Sequence, residues 1–195
     1  MKYSKRFEDA LVFASQLHKE QQRKVSGTPY IGHLLGVASI VIEHGGSEDE
    51  AIAALLHDAI EDQGGAKIRD EIRKRFGEKV VEIVDGCTDS DVIPKPPWRK
   101  RKEDYIEHLS MATLPILLVS ASDKLYNART IREEYRLIGD EVWNRFQGKK
   151  DGTLWYYRAL VTAYRNRISK IPNCNPHLSV IVDELDRVVS ELEQI

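Results

Sequence analysis

Residues 51–62 read Ala51-Ile52-Ala53-Ala54-Leu55-Leu56-His57-Asp58-Ala59-Ile60-Glu61-Asp62. Six apolar residues in succession cover more than one turn, so a helix here is buried nearly all round. Ser47 followed three positions later by Glu50 forms a capping box that starts it. On a continuous helix His57 lies under Glu61 and Asp58 under Asp62, giving two neighbouring columns. Three carboxylates and an imidazole in one desolvated sector repel one another unless a cation sits among them. A divalent metal meets that need; the rival reading is the polar end of an ordinary helix emerging into water.

The same helical period extends outward in both directions. Phe7, Ala10, Leu11, Ala14, Leu17 and His18 share one stripe, and Ile68, Ile72 and Phe76 repeat at four before Gly77. Thr28-Pro29 predicts a capped helix start, with Leu34, Leu35, Val37, Ala38, Val41 and Ile42 running on to Gly45-Gly46. A short helix over 80–84 precedes a loop over 85–98 that holds Pro94, Pro96 and Pro97, between Asp85 and Trp98. Helices are predicted again over 99–111, 115–135, 141–146, 153–168 and 178–193. No segment has a period of two, and no internal repeat is found. The expected fold class is all-α: a single-layered helical bundle of about 8–10 helices, one domain over residues 1–195, with the C-terminal helix within 171–195.

Composition narrows the partners. Lys plus Arg number 29 against 31 Asp plus Glu, a formal charge of −2, which excludes a nucleic-acid binder or polyanion mimic working through bulk charge. Apolar residues make up 42% and charged residues 31%, the balance of a globular chain. The longest apolar stretch, 114–119, is far too short to span a membrane, and charges interrupt the N-terminus. Cys87 and Cys174 match neither a disulfide framework nor a paired zinc motif and fit a reducing compartment. The expectation is a cytoplasmic protein with no membrane or nucleic-acid partner; the sequence leaves homo-oligomerisation open.

Two further segments favour the metal over the plain helix end. His33 falls in the first turn of the preceding helix, and Asp123 follows the apolar run from Leu118, so His33, His57, Asp58 and Asp123 complete an N/O ligand set. Two imidazoles and two carboxylates suit Mn²⁺, Fe²⁺ or Zn²⁺ better than Ca²⁺. Glu61 and Asp62, one turn on, are placed to take the proton of an attacking water or to hold it in line. Arg23-Lys24 and Arg99-Lys100-Arg101-Lys102 are the basic concentrations that an anionic substrate needs. Leu154, Tyr157, Leu160, Val161 and Tyr164 form an ordinary core stripe, and against that packing role stands the reading of Tyr156 or Tyr157 as a ring for a base and Arg158 as a guanidinium for phosphate. Lys124 is expected to be an exposed helix residue, His18 and His44 to serve helix packing and a helix end, and His108 and His177 to lie on the surface.

The order His33, His57-Asp58, Asp123 resembles the signature of the HD metal-dependent phosphohydrolase superfamily. Arg23-Lys24, Gly27-Thr28-Pro29-Tyr30-Ile31-Gly32-His33, residues 53–62, Phe76-Gly77-Glu78-Lys79-Val80 and Asp123-Lys124-Leu125-Tyr126-Asn127 narrow it further. Over about residues 5–170 the chain resembles the hydrolase domain of RelA/SpoT homologues, in particular the stand-alone small alarmone hydrolases. The resemblance implies a single metal, usually manganese, on His33, His57, Asp58 and Asp123, with Glu61 and Asp62 as the catalytic acidic pair. It implies that Arg23 and Asn127 contact the substrate or order the site and that Lys24 lies near the nucleotide. The implied reaction is removal of the 3′-pyrophosphate from (p)ppGpp, and 195 residues carry the expectation of a hydrolase without the opposing synthetase. Two other readings fit the same residues: a phosphatase acting on NADPH, a nucleoside monophosphate or another phosphorylated nucleotide, and a non-catalytic nucleotide-binding sensor. The acidic pair stands against the sensor.

Overall fold

The computed structural model describes residues 3–24, 26–90, 92, 94–172 and 174–195. Ten α-helices and one 3-10 helix follow in chain order among them: α1 Lys5–Leu17, α2 Ile31–Glu43, α3 Glu48–Leu56, α4 Ala59–Gln63, α5 Gly65–Phe76, α6 Glu78–Cys87, α7 Trp98–Leu109, α8 Leu114–Ile138, the 3-10 helix Gly139–Arg145, α9 Lys149–Ile168 and α10 Pro176–Glu193. The one extended pairing among the described residues is an isolated bridge between Gln22 and Pro29. The all-α expectation therefore holds.

Helix α3 is central because its sequence leaves it no polar face. Residues 51–56 are all fully buried, and α3 packs against α1, α2, α6 and α8. The capping box forms as expected: the Ser47 hydroxyl accepts from the Glu50 amide while the Glu50 carboxylate accepts from the Ser47 amide at 2.6 Å. Helix α8 starts after Thr113 with Pro115 in its first turn, and its middle is buried from Leu117 through Asp123. Helix α10 presents Leu178, Ile181, Val182, Leu185, Val188, Val189 and Leu192 to α8 and α9. Burying each such side chain is worth roughly 1.5–3 kcal/mol, so this stripe fixes how α10 docks. Gly77, at φ 91°, makes the sharp turn from α5 to α6 that a side chain would strain.

Three local expectations are corrected. Thr28 and Pro29 do not open α2; Tyr30 precedes its first residue, because residues 21–30 close on themselves through Arg23 N–H to Thr28 O at 2.8 Å and Tyr30 N–H to Gln21 O at 3.0 Å. The segment 51–62 is not one helix. It breaks at His57 and Asp58, the latter at φ −97°, ψ −2°, and resumes as α4. Residues 139–145 wind as a 3-10 helix where an α-helix over 141–146 was expected. In the loop between α6 and α7, Asp91 and Ile93 lie outside the described residues. At the far side of that loop Trp98 rests on α9: a Cβ on Gly148 would lie 2.6 Å from its indole, so only glycine admits the ring.

Candidate metal centre and cleft

The break in 51–62 turns the polar residues inward. At the end of α3 the His57 ring folds back, and its Nδ1 donates to the Ala54 carbonyl at 2.8 Å, satisfying an oxygen that helix termination leaves free. That bond sets the tautomer and points Nε2 away from the helix. His33, one turn into α2, brings its Nε2 within 3.2 Å of His57 Nε2. Asp58 Oδ2 lies 3.0 Å from His57 Nε2 and 3.4 Å from His33 Nε2. Asp123 Oδ1, from the buried middle of α8, lies 3.2 Å from His33 Nε2 and 3.5 Å from His57 Nε2.

Among the described residues His33, His57 and Asp58 bring donor atoms close enough to share a single ion, and Asp123 stands beside both imidazoles. Four donors held about 2.1 Å from one centre stand roughly 3.0–3.4 Å apart at octahedral and tetrahedral angles. Neutral imidazole and carboxylate atoms at this spacing present lone pairs to lone pairs, so a positive charge must lie among them. When that charge is a proton, His57 carries it: burial pulls its pKa down, but Asp58 and Asp123 outweigh burial and hold it well above the ordinary histidine value. Asp58 and Asp123 answer in kind, both well below the usual carboxylate range despite their burial. A divalent cation would supply that positive charge in place of the proton.

Residues 10–154 match the HD domain family. The chain belongs to the HD domain family. It is 42% identical over 127 residues, 64% of this chain and 68% of the relative, to the guanosine-3′,5′-bis(diphosphate) 3′-pyrophosphohydrolase MESH1 of Xenopus tropicalis. It is 37% identical over 140 residues to the guanosine-3′,5′-bis(diphosphate) 3′-pyrophosphohydrolase of Aquifex aeolicus, covering 69% of this chain and 19% of that one. A solved metazoan orthologue of SpoT that hydrolyses ppGpp superposes with a TM-score of 0.75 over 96% of this chain and 97% of its own, at 25% identity.

The cleft of this HD domain has a volume of about 400 Å³, and its lining mixes cations and carboxylates with polar and aromatic side chains. The acidic pair diverges across it. Glu61 accepts from Lys95 Nζ at 2.7 Å and from the Asp89 amide at 3.3 Å, while Asp62 accepts from Gln21 Nε2 at 2.7 Å. Burial and the nearby Asp58 raise the Asp62 carboxyl above the usual carboxylate range, with Gln21 opposing. Arg23 Nη2 donates to Asn127 Oδ1 at 2.7 Å, and Asn127 Nδ2 donates to Asp123 Oδ1 at 2.5 Å, a continuous chain into the cluster. Lys24 stands exposed at the rim, and Tyr157 lies buried in the wall.

Other assignments change. Arg158 does not line the cleft: it turns to α10, bonding Asp186, Glu193 at 2.6 Å and Ser190 at 3.0 Å. One residue further along a helix rotates a side chain by about 100°, which separates it from Tyr157. Lys124 is not exposed; its Nζ reaches Asp123 Oδ2 at 2.5 Å inside the cleft. Burial pulls its pKa down, yet Asp123 outweighs this and keeps the ammonium charged. The basic run 99–102 divides: Arg99 and Lys100 pair with Glu103 and Asp104 on the exposed face, whereas Arg101 and Lys102 turn inward onto Asp89. His108 and His177 are exposed, as expected.

Sequence reasoning missed Tyr30 and Gln21. The Tyr30 hydroxyl donates to Asp58 Oδ2 at 2.6 Å, and its ring stacks on His18 at 5.4 Å between centroids. Its spacing three residues before His33, at a helix start, was the available signal. Gln21 carried none, because the loop 21–30 brings it to Asp62 through space.

Proposed function

We propose that this HD domain is a metal-dependent (p)ppGpp 3′-pyrophosphohydrolase of the cytoplasm, one hydrolase domain over residues 1–195, acting with a single Mn²⁺. The observation that carries this reading is the four-donor cluster at 3.0–3.5 Å, open to a cleft whose walls bear Arg23, Lys24, Lys95, Lys102 and Lys124. His33, His57, Asp58 and Asp123 would hold the ion. Bound there, a divalent ion lowers the pKa of water and polarises a phosphoryl oxygen.

The remaining work falls to side chains. Asp62, made more basic by its burial, receives the proton of the attacking water; Glu61, fixed by Lys95 and the Asp89 amide, orients that water. Water oxygen is added to the phosphorus at the ribose 3′ position, the 3′ oxygen–phosphorus bond breaks, and a proton ends on the 3′ oxygen. The products are pyrophosphate and GDP or GTP. Arg23 and Lys24 bind phosphate oxygens, Asn127 keeps Arg23 and Asp123 in register, and Tyr157 flanks the nucleoside.

The test is a manganese-supplemented hydrolysis panel read by product identity. Pyrophosphate from ppGpp is the expected result; orthophosphate from NADPH or a nucleoside monophosphate with ppGpp intact would overturn the substrate. Asp62→Asn should retain metal and slow turnover by about 10²–10⁴-fold, the size of a lost proton-transfer group.

A further inference from the structure

Behind Asp62 lies a layer of hydrogen bonds whose outer members, His18 and Gln63, do not line the cleft. Gln21 spans it. Its Nε2 donates to Asp62 Oδ2 at 2.7 Å, and its Oε1 faces Gln63 Nε2 at 2.5 Å and His18 Nδ1 at 2.7 Å. His18 closes the end of α1, Gln21 follows in the turn where its N–H donates to the His18 carbonyl, and Gln63 is the last residue of α4. Asp62 and Gln63 are neighbours, so one helix end grips the Gln21 amide at both its nitrogen and its oxygen.

An amide side chain can present either end, but an ionised carboxylate only accepts, so Gln21 supports Asp62 with Nε2 and opposes it with Oε1. The far end decides between them. A neutral imidazole carries one hydrogen, and Nδ1 approaches a carbonyl oxygen to 2.7 Å only with that hydrogen between them. Gln63 Nε2, at 3.3 Å from Nδ1, makes the longer approach. His18 Nε2 is buried without a hydrogen-bond partner, so a hydrogen placed there would be left unpaired. Burial keeps the ring neutral, lowering the His18 pKa against Gln21, Asp58 and Asp62. The ring itself is 2% exposed and stacks on Tyr30 at 5.4 Å with 15° between the planes. His18 and Gln63 thus fill both lone pairs of Gln21 Oε1. A rotated amide would set its hydrogens against those two donors and its oxygen against Asp62.

We propose that His18 and Gln63 are positioning residues for the hydrolysis: they fix the Gln21 amide with its nitrogen toward Asp62, which ties down one carboxylate oxygen and leaves the other for the water proton. The proposal deepens the function proposed above. It rests on the part of that reading that makes Asp62 the proton acceptor, and not on the identity of the nucleotide.

The first test needs no turnover. In the full chain loaded with diamagnetic Zn²⁺, long-range proton–nitrogen correlation of labelled histidine should place the His18 hydrogen on Nδ1, the signals being assigned by their loss in His18→Asn. Hydrogen on Nε2 overturns the proposal. The second test is a double-mutant cycle on the manganese-loaded protein, read on whichever nucleotide the wild type turns over. His18→Phe keeps a ring on Tyr30 but removes Nδ1; it should lower kcat about 10-fold or more, as misplacement of a reacting group does, with KM and metal content within twofold. Gln21→Met should cost at least as much, and adding His18→Phe to it should cost nothing further, because His18 acts only through Gln21. His18→Asn, whose Nδ2 takes the place of Nδ1, should restore most of the rate. Gln63→Met supplies the same cycle from α4 if His18→Phe does not fold. Losses that multiply in the double variant, or an unchanged kcat in the single variants, overturn the proposal. If NADPH is turned over and ppGpp is not, the substrate falls while the cycle still decides the role of His18; no turnover of any nucleotide overturns both.

Discussion

Helices α6 and α8 pack against each other, and Gly86 of α6 is set against Ile116 of α8. A Cβ on Gly86 would lie 2.5 Å from Ile116 Cδ1, 2.7 Å from Cγ1 and 2.9 Å from Cγ2. Ordinary carbon contacts need about 3.5–4.0 Å. The Ile116 side chain is β-branched and stiff, and three of its atoms are blocked together, so no single torsion clears them. Gly86→Ala must therefore move the two helices apart by about 1 Å. Overpacking of this kind costs about 1–3 kcal/mol, and alanine recovers about 0.5–1 kcal/mol of helix preference. The net loss is about 1–2 kcal/mol, which for a chain of this size lowers Tm by roughly 2–8 °C. Calorimetric melts of Gly86→Ala, Ile116→Ala and the double variant separate the terms. Once Ile116 is truncated, Gly86→Ala should be neutral or stabilising. An equal fall in Tm in both backgrounds would refute the contact as the cause.

Two further predictions concern charge. Because Asp58 and Asp123 hold the His57 pKa well above its ordinary value, the metal-free cluster is protonated at pH 7, so metal binding there releases about one proton and weakens as pH falls. Titrations in buffers of different ionisation enthalpy measure that proton, and its absence would contradict the assignment. Away from the cleft, burial alone would raise Asp186, but hydrogen bonds and attraction from Arg158 and Arg165 outweigh it and depress its pKa. A depressed carboxylate contributes stability in full above its unfolded value near 3.9 and loses it as pH falls through the folded value. Asp186→Asn should therefore lower Tm at pH 7 and leave it unchanged at pH values below the folded pKa of Asp186; a gap that persists there would exclude the ion pair as its source.

The four-donor cluster was legible because each polar residue interrupts an apolar run: His57-Asp58 after Leu56, Asp123 after the run from Leu118, and His33 just ahead of Leu34. Such a residue cannot face water without exposing the run, so the sequence already commits it to the interior. The break at His57 was not legible, since the helical period continues unchanged across it. What decides it is the His57 ring returning to Ala54 O, a contact that periodicity does not encode. Arg158 and Lys124 failed for related reasons. Each neighbours a residue correctly placed in the cleft, and adjacency along a helix says little about facing. For Lys124 the expectation of exposure was wrong because the middle of α8 is buried on nearly all sides, so the charge next to Asp123 had to remain beside it.

That burial also explains how a chain of net charge −2 can receive a polyanion. Seven cations, Arg23, Lys24, Lys95, Arg101, Lys102, Lys124 and Arg145, line the cleft among the described residues, against five carboxylates, Asp58, Glu61, Asp62, Asp89 and Asp123. The cleft is thus positive while the whole is negative. Within it the carboxylates are largely claimed by the four-donor cluster or by single cations, as Glu61 is by Lys95. Among the described residues Arg23 and Lys24 are the cleft cations least neutralised by that arrangement, since Arg23 donates to the neutral Asn127 amide while Lys102 is paired with Asp89. Long-range charge therefore contributes little to capture, because at physiological salt it is screened beyond about 8 Å. Selection must occur at contact distance, where a ligand is favoured for the number of anionic oxygens it brings to each wall.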